Sequence, residues 1–178
     1  SELQINFGKL GFSTAEILAA QEATLLLATA TQTDLGRAAI VAGAAVRGFQ
    51  LDASETARVV DVMAVAFTSS ALDIEKFQTS MTKVAPIAAA AGISLESTTA
   101  IMGSLTDAGI EASIAGTSLR NIFLKMQDPT SELSKRLGFT VNSSEDLEKA
   151  MIMLNQANLS NAEIMELVDL RQAAAFIT

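Results

Sequence analysis

Apolar residues recur every three or four positions along most of this sequence, and that spacing constrains the fold more than any other feature. Ile74, Phe77, Met81, Val84 and Ala88 form one such series. A period of about 3.6 residues places the series on one face of an α-helix. Alternating β-branched and aromatic runs of strand length do not occur in the sequence, so strands are not expected. The spacing predicts helices over Thr14–Ala30, Asp34–Arg47, Ala53–Ser69, Ile74–Ala90, Leu95–Asp107, Glu111–Gln127, Pro129–Leu137, Ser144–Gln156 and Asn161–Ala173.

Polar residues mark where these helices begin. In a capping box, a Ser or Asp side chain accepts a hydrogen bond from an amide of the first turn. A Glu three residues later returns to the amide of the capping residue. The sequence predicts capping boxes at Ser13 with Glu16, Asp52 with Glu55 and Ser160 with Glu163, single N-caps at Asp73 and Ser94, and an N-cap at Asp128 with Pro129 at the first helical position.

Pro86 interrupts the helical pattern. Proline lacks an amide donor and disfavours helical backbone at the preceding residue, here Ala85. The sequence therefore predicts a kink or a break, with a short helix resuming at Pro86.

Glycine followed by an apolar residue recurs at four turns. A glycine just past a helix end supplies the left-handed position that closes many helices, and the apolar residue after it packs back on the hairpin. The connections between predicted helices are short, which suits antiparallel neighbours. The pattern predicts an all-α fold of helical hairpins, packed as a compact bundle or a short solenoid-like array. The four turns are Gly11-Phe12, Gly48-Phe49, Gly92-Ile93 and Gly138-Phe139.

Composition excludes several kinds of site. The 178 residues include no cysteine and no histidine, so neither a disulfide nor the commonest zinc ligands and general base can be present. The net charge of −8 disfavours sequence-independent binding to duplex DNA. The sequence has no run of 18 apolar residues and no secretory signal at its first residues, so no membrane span is expected.

A few side chains could support catalysis, but each has a plainer interpretation. Ser134-Lys135 is conceivable as a nucleophile and base, although a solvated helix face is favoured. Two acidic pairs could support glycoside hydrolysis, but they sit where carboxylates complement a helix start. We therefore expect no enzyme activity, no cofactor and no metal. The acidic pairs are Glu145 with Asp146 and Glu163 with Glu166.

Small residues on predicted helices allow close approach of another backbone. Gly103, Ala112 and Gly116 are of this kind. Packing within the chain is the favoured interpretation, and contact with another subunit is the alternative.

The stretch from about Thr14 to Pro129 resembles the core region of the phage tail tape measure protein family. The resemblance is a series of short segments in the same order rather than one motif. It includes Arg47-Gly48-Phe49, Leu51-Asp52-Ala53-Ser54-Glu55, Val84-Ala85-Pro86, Gly92-Ile93-Ser94-Leu95-Glu96, Asp107-Ala108-Gly109-Ile110 and Ala115-Gly116-Thr117-Ser118-Leu119-Arg120-Asn121.

The resemblance implies a structural virion component. Proteins of this family are long and largely helical, occupy the lumen of the tail tube, set tail length and leave ahead of the genome at ejection. The implied partners are other copies of the chain, tail tube and baseplate or tail-tip proteins, and in some cases the host envelope. No specific nucleic-acid binding is implied. Residues 1–137 would form the core of helical hairpins and residues 138–178 a C-terminal hairpin that continues the array.

The glycine turns predict a compact module rather than an extended rod. Two further hypotheses stay open at this point. The positive mean hydropathy of +0.36 and short apolar runs such as Val84–Ile93 suit a membrane-active or channel-forming module that assists genome passage. A helical-repeat binding scaffold unrelated to phage is the other.

Overall fold

The computed structural model describes residues 2–178, apart from the side chains of residues 170 and 171. Helices connected by short turns account for most of this part of the chain, and no strand occurs in it. The all-α prediction is therefore confirmed. The helices are α1 Glu2–Lys9, α2 Thr14–Ala30, α3 Leu35–Gly48, α4 Thr56–Ser69, α5 Ile74–Ala90, α6 Leu95–Asp107, α7 Ala112–Gln127, α8 Glu132–Leu137, α9 Ser144–Gln156, α10 Asn161–Leu167 and α11 Leu170–Ile177, with a 3-10 turn at Ala53–Glu55 before α4.

Two layers of stacked helices make up the fold. In one layer α1 packs on α3, α3 on α5, α5 on α7 and α7 on α11. In the other layer α2 packs on α4 and α4 on α6. From α1 to α6, each hairpin thus contributes one helix to each layer, as expected for a solenoid-like array. The predicted helical-hairpin array is confirmed.

The first helix, α1, escaped prediction although its pattern is visible. Leu3 and Phe7, four residues apart, are both buried. The Phe7 ring lies 4.7 Å from the Phe12 ring, centroid to centroid. A single helical turn of apolar spacing is a weak signal in isolation, and its packing on α3 supplies the stabilisation.

The predicted start of α8 is wrong. Asp128 does not begin the helix at Pro129, because its carboxylate closes a turn by accepting bonds from Thr130 N at 2.8 Å and Thr130 Oγ1 at 2.6 Å. The helix begins at Glu132, and Ser131 Oγ accepts from Ser134 N at 3.0 Å as its N-cap. Asp128 and Ser131, three residues apart, can both accept as N-caps, and Ser131 caps the helix.

The predicted helix Asn161–Ala173 is two helices. Val168 is extended, with φ −131° and ψ 155°, and its side chain is buried. The amide of Asp169 donates to Oε1 of Gln172 at 3.1 Å, which opens the new helix α11. The Asp169-x-x-Gln172 spacing resembles a capping box and was a usable signal for this break.

No break occurs at Pro86. Helix α5 runs unbroken from Ile74 to Ala90 with the proline inside it. Proline leaves the carbonyl of Thr82 without its helical donor. Both Thr82 and Pro86 are on the exposed face of α5, so water can satisfy that carbonyl. Packing of the opposite face on α3 and α7 keeps the helix continuous.

The predicted glycine turns have a residue in the left-handed conformation, and in three of the four that residue is the predicted glycine. At Gly92 the chain is left-handed, with φ +65°, and Ile93 N then donates to Ala88 O at 2.9 Å, closing the helix end. Gly11 and Gly138 are left-handed too, as predicted. Gly48 is not, because it remains inside α3, and Gln50 takes the left-handed position with φ +56°.

Most predicted N-caps are confirmed. Capping boxes are present at Ser13 with Glu16 and at Ser160 with Glu163. Asp52 accepts from Ser54 N at 2.9 Å, so it caps a 3-10 turn rather than an α-helix. The other half of that predicted capping box, a hydrogen bond from the Asp52 amide to the Glu55 carboxylate, is wrong, because this carboxylate pairs with Arg58. Asp73 and Ser94 cap α5 and α6.

Candidate structural and interaction site

Helix α5 is approached by a glycine from each neighbouring helix of its layer. A β-carbon placed at Gly48 of α3 would lie 3.1 Å from the β-carbon of Ala85. A β-carbon at Gly116 of α7 would lie 2.7 Å from the backbone oxygen of Ser80 and 2.8 Å from its Cα. Glycine at both positions therefore allows α3 and α7 to pack closely on α5.

Two of the segments that carry the family resemblance, around Gly48 and around Pro86, meet where α3 packs on α5. Pro86 lies beside Ala85, and with Gly48 both residues border an apolar cleft of about 200 Å³ between the two helices. The Phe49 ring is buried at the end of α3. These positions, distant in sequence, thus form one contact.

Gly92 joins the hairpin array to the segment that follows α8. A β-carbon at Gly92 would lie 2.4 Å from the backbone oxygen of Asn142. Next to it, Ser94 N donates to Ser144 Oγ at 2.9 Å. The turn between α5 and α6 therefore has both a steric and a conformational need for glycine.

Asp52, Asp107 and Gly109 serve turns. Asp107 at the end of α6 accepts from Ala71 N at 2.6 Å and so ties down the turn between α4 and α5. Gly109 is left-handed, with φ +81°, and has open space around its Cα. Hydrogen bonds from Ser54 lower the pKa of Asp52, and the bond from the side-chain hydroxyl contributes more than the bond from the backbone amide. All three residues thus shape turns between helices in this fold.

The remaining positions of the matched α7 segment divide between core and surface. Leu119 is buried. Thr117 Oγ1 donates to Ser113 O at 2.8 Å and accepts from Lys83 Nζ at 3.3 Å. Arg120 is exposed, and among the described residues its guanidinium bonds only Asn121 Oδ1, at 3.4 Å. This face of α7 presents positive charge to solvent.

The small residues expected either in the core or at a subunit contact are used within the chain. Ala112 is buried, and Gly116 packs on Ser80. A β-carbon at Gly103 would lie 3.2 Å from Ser70 Cβ. Close helix packing within one chain thus involves all three, and Gly103 also borders a groove between α4 and α6.

A groove between α4 and α6 was not foreseen from the sequence. It has a volume of about 550 Å³. Thr99, only 2% exposed, borders it, and Thr99 Oγ1 has no hydrogen-bond partner in the described part of the chain. Neither a groove nor an unpaired hydroxyl leaves a periodic signal in sequence.

The side chains considered for catalysis have other partners. Ser134 Oγ donates to the backbone oxygens of Lys125 and Met126, at 3.0 and 2.9 Å, while Lys135 Nζ bonds Glu132 at 2.7 Å. The hydroxyl and the amine are therefore engaged separately.

The acidic pairs lie at helix starts. Asp146 accepts from Asn142 N at 3.1 Å, beside Glu145 in the first turn of α9. Hydrogen bonds from Ser160 lower the pKa of Glu163, and the bond from the side-chain hydroxyl contributes more than the bond from the backbone amide. Within residues 2–178, no cluster of three or more acidic side chains is arranged to hold a metal ion. No helix in the same range is both long and apolar enough to cross a membrane.

Comparison with known proteins gives the family. The sequence model of the family described as phage-related minor tail protein matches residues 1–166. A tape measure protein of Pneumococcus phage Dp-1 is 32% identical over 151 residues, which is 85% of this chain and 13% of that protein. A probable tape measure protein of Escherichia phage P2 is 32% identical over 145 residues, 80% of this chain and 18% of that protein.

This chain therefore spans less than a fifth of the length of either relative. No solved structure is significantly similar to it. The matched residues include α3, α5 and α7 with their glycine contacts and most of both layers. The region of sequence similarity therefore coincides with the folded array. The chain belongs to the phage-related minor tail protein family, as a segment of the tape measure type.

Proposed function

We propose that this chain is a folded module of a tape measure protein. The complete protein sets tail length, organises assembly of the tail tube and leaves before the DNA at ejection. Its position is the virion tail, in the tube lumen or at the tip, after assembly in the host cytoplasm. Its partners are other copies, tube proteins, baseplate or tip proteins and, at ejection, the host envelope.

The observation that carries this proposal is that the segment folds into short helices separated by turns. As one continuous helix, 178 residues would span about 270 Å. The longest helices here, α2 and α5, have 17 residues each and so span about 25 Å. A segment folded in this way adds little to the length of a ruler. Its contribution is a packed surface at a defined place along the tail.

Residues 138–178, predicted as one hairpin, belong to this proposal as a three-helix extension of the array formed by α9, α10 and α11. The contact of Gly92 with Asn142 and the bond from Ser94 N to Ser144 Oγ support it. The packing of α11 on α7 extends the layer of α1, α3 and α5 in the same direction.

The test compares tail lengths by electron microscopy. One phage carries a duplication of this segment in its complete tape measure gene. A matched phage carries a duplication of equal length in a region of continuous helix. The helical duplication is expected to lengthen the tail by about 1.5 Å per added residue. The segment duplication is expected to add far less. Equal lengthening would contradict the folded-module role.

Small-angle scattering on the isolated chain supplies an independent check. A compact chain of 178 residues has a radius of gyration of about 16 to 20 Å. A rod of the full helical length would give roughly 77 Å. A value near that of the rod would refute the folded module.

A further inference from the structure

The outer surface of the α2–α4–α6 layer contains a groove that is open to a large partner. This groove lies between α4 and α6 and is called the α4–α6 groove. One rim carries Val65, which is 65% exposed. Small residues allow another backbone to approach closely without steric conflict. Those that line the groove are Ala66, Ser69, Ser70, Ala100, Gly103 and Ser104.

Thr99 indicates that the groove is incomplete in the single chain. Its hydroxyl is buried and unpaired among the described residues. A buried hydroxyl that lacks a partner destabilises the chain, because it has lost its hydrogen bonds to water without replacement. A partner that brings a polar group to the groove would recover this loss.

The charge of the groove is negative. Three carboxylates line it, those of Asp61, Glu96 and Asp107. Glu96 is paired with Arg58 at 2.7 Å. Asp61 has no hydrogen-bond or ion-pair partner within residues 2–178, and Asp107 bonds only a backbone amide there. A partner with positive charge is therefore favoured.

The opposite layer carries a surface with the complementary features. This surface, the α7 strip, contains Ile114, Thr117, Arg120 and Leu124 of α7, with Lys83 of α5 beside Thr117. Ile114 is 56% exposed and Leu124 is 39% exposed. It thus combines apolar side chains with two cations in a chain whose net charge is −8.

We propose that the α7 strip of one copy docks in the α4–α6 groove of another copy. The two surfaces lie on opposite layers of the array, so they cannot meet within one chain. Two different surfaces in contact make a head-to-tail interface, which closes into a ring or continues as a stack. The inference rests on the proposed function in one respect, that copies of the chain lie side by side in the tail.

The first test is a charge swap measured by sedimentation velocity over a concentration series at low salt. The unmodified chain self-associates, and the association weakens as salt screens the exposed charges. Arg120→Glu alone and Asp61→Lys alone each raise the dissociation constant about tenfold or more. The double variant, which exchanges the two signs, regains most of the affinity.

Matched controls separate the interface from net charge. Lys9→Glu and Glu148→Lys make the same charge changes at exposed positions outside both surfaces. They should leave the dissociation constant nearly unchanged. Equal effects of controls and test variants, or no recovery in the double variant, would overturn the proposal.

The second test uses the absence of cysteine from the chain. Thr117→Cys and Ser104→Cys each introduce the only thiol, one on the α7 strip and one in the α4–α6 groove. Under mild oxidation, a mixture of the two variants should yield the mixed disulfide dimer in excess over both homodimers. Statistical proportions, or a preference for either homodimer, would contradict the head-to-tail contact.

These outcomes are distinct from failure of the proposed function. A chain that remains monomeric up to about 1 mM, a concentration at which weak contacts are populated, overturns the docking inference alone. Self-association that is lost in Leu25→Glu but kept in Arg120→Glu would assign the contact to the exposed face of α2 and also overturn it. The tail-length experiment decides the role in the tail independently of either result.

Discussion

Gly116 packs so closely on Ser80 that a β-carbon at residue 116 would lie 2.7 Å from the Ser80 backbone oxygen. The contact joins α7 to α5, the central helix of its layer. Backbone atoms cannot rotate away as a side chain can, so any larger residue must separate the two helices.

Gly116→Ala is expected to destabilise the fold by about 2 kcal/mol, because the added methyl overpacks a backbone contact. The matched control is Gly8→Ala in α1, where nothing lies within 4 Å of the new methyl. That change should be neutral or stabilise by up to about 1 kcal/mol, since alanine favours helix. Urea unfolding followed by circular dichroism measures both. Similar effects of the two substitutions would contradict the close approach.

Gly92→Ala and Gly109→Ala compare two left-handed glycines in different surroundings. Alanine at Gly109 should cost about 1 kcal/mol from its conformation alone, because its surroundings are open. Alanine at Gly92 should cost at least about 1 kcal/mol more, because its methyl meets Asn142 O. Chemical denaturation of the two variants gives the difference. A cost at Gly92 no greater than at Gly109 would mean that the segment after α8 does not pack on this turn.

Pro86→Ala is expected to stabilise the chain. The new amide can donate to the carbonyl of Thr82, and alanine removes the steric penalty of proline within a helix. Part of the gain is offset because proline restricts the unfolded chain. The net increase in the free energy of unfolding should be about 1–2 kcal/mol by thermal or urea unfolding. A loss of stability would show that the proline ring has a packing role at the cleft beside Gly48.

Gln50→Gly should stabilise the turn after α3. Gln50 has φ +56°, a conformation that costs an L-residue about 1 kcal/mol and glycine almost nothing. Gln50→Ala provides the control, since it shortens the side chain and keeps the strain. A gain of about 1 kcal/mol for glycine over alanine is expected in urea unfolding. Equal stabilities of the two variants would argue against the left-handed backbone.

Acidification should weaken the capping box of α2. The hydrogen bond from the Ser13 backbone amide, at 2.6 Å, is the main cause that holds the pKa of Glu16 below its ordinary value of 4.5, and the Ser13 side chain adds to it. A carboxyl whose pKa is lower in the folded chain stabilises the fold above its unfolded pKa. That contribution is lost as the pH falls from about 4.5 through the lower folded value.

Titration of Glu16 by NMR should therefore give a midpoint below 4.5. Glu16→Gln should show a smaller loss of stability over the same acid range, since the titrating group is gone. A midpoint at or above the ordinary value would contradict the capping-box effect.

Local chemistry made several parts of the fold predictable. The bounds of α2, α5, α6 and α9 follow from apolar spacing and from the Ser or Asp at their N-caps. The candidate site was only partly predictable. The glycines of the matched segments were visible in the sequence, but their partners Ala85, Ser80 and Asn142 were not. Contact partners depend on how helices stack, and single-sequence periodicity contains no information on that stacking.

The sequence by itself determined that this protein is helical, where most helices begin, that histidine and cysteine chemistry is absent, and that it resembles a phage tail protein. Only the tertiary structure decided that α5 stays continuous through Pro86, that Gln50 takes the left-handed turn position, and that Gly48 and Gly116 both face α5. The physical reason is that caps and periodicity act over a few neighbouring residues. Burial, close backbone approach and paired surfaces act between segments tens of residues apart, and their free energies outweigh local preference where the two conflict.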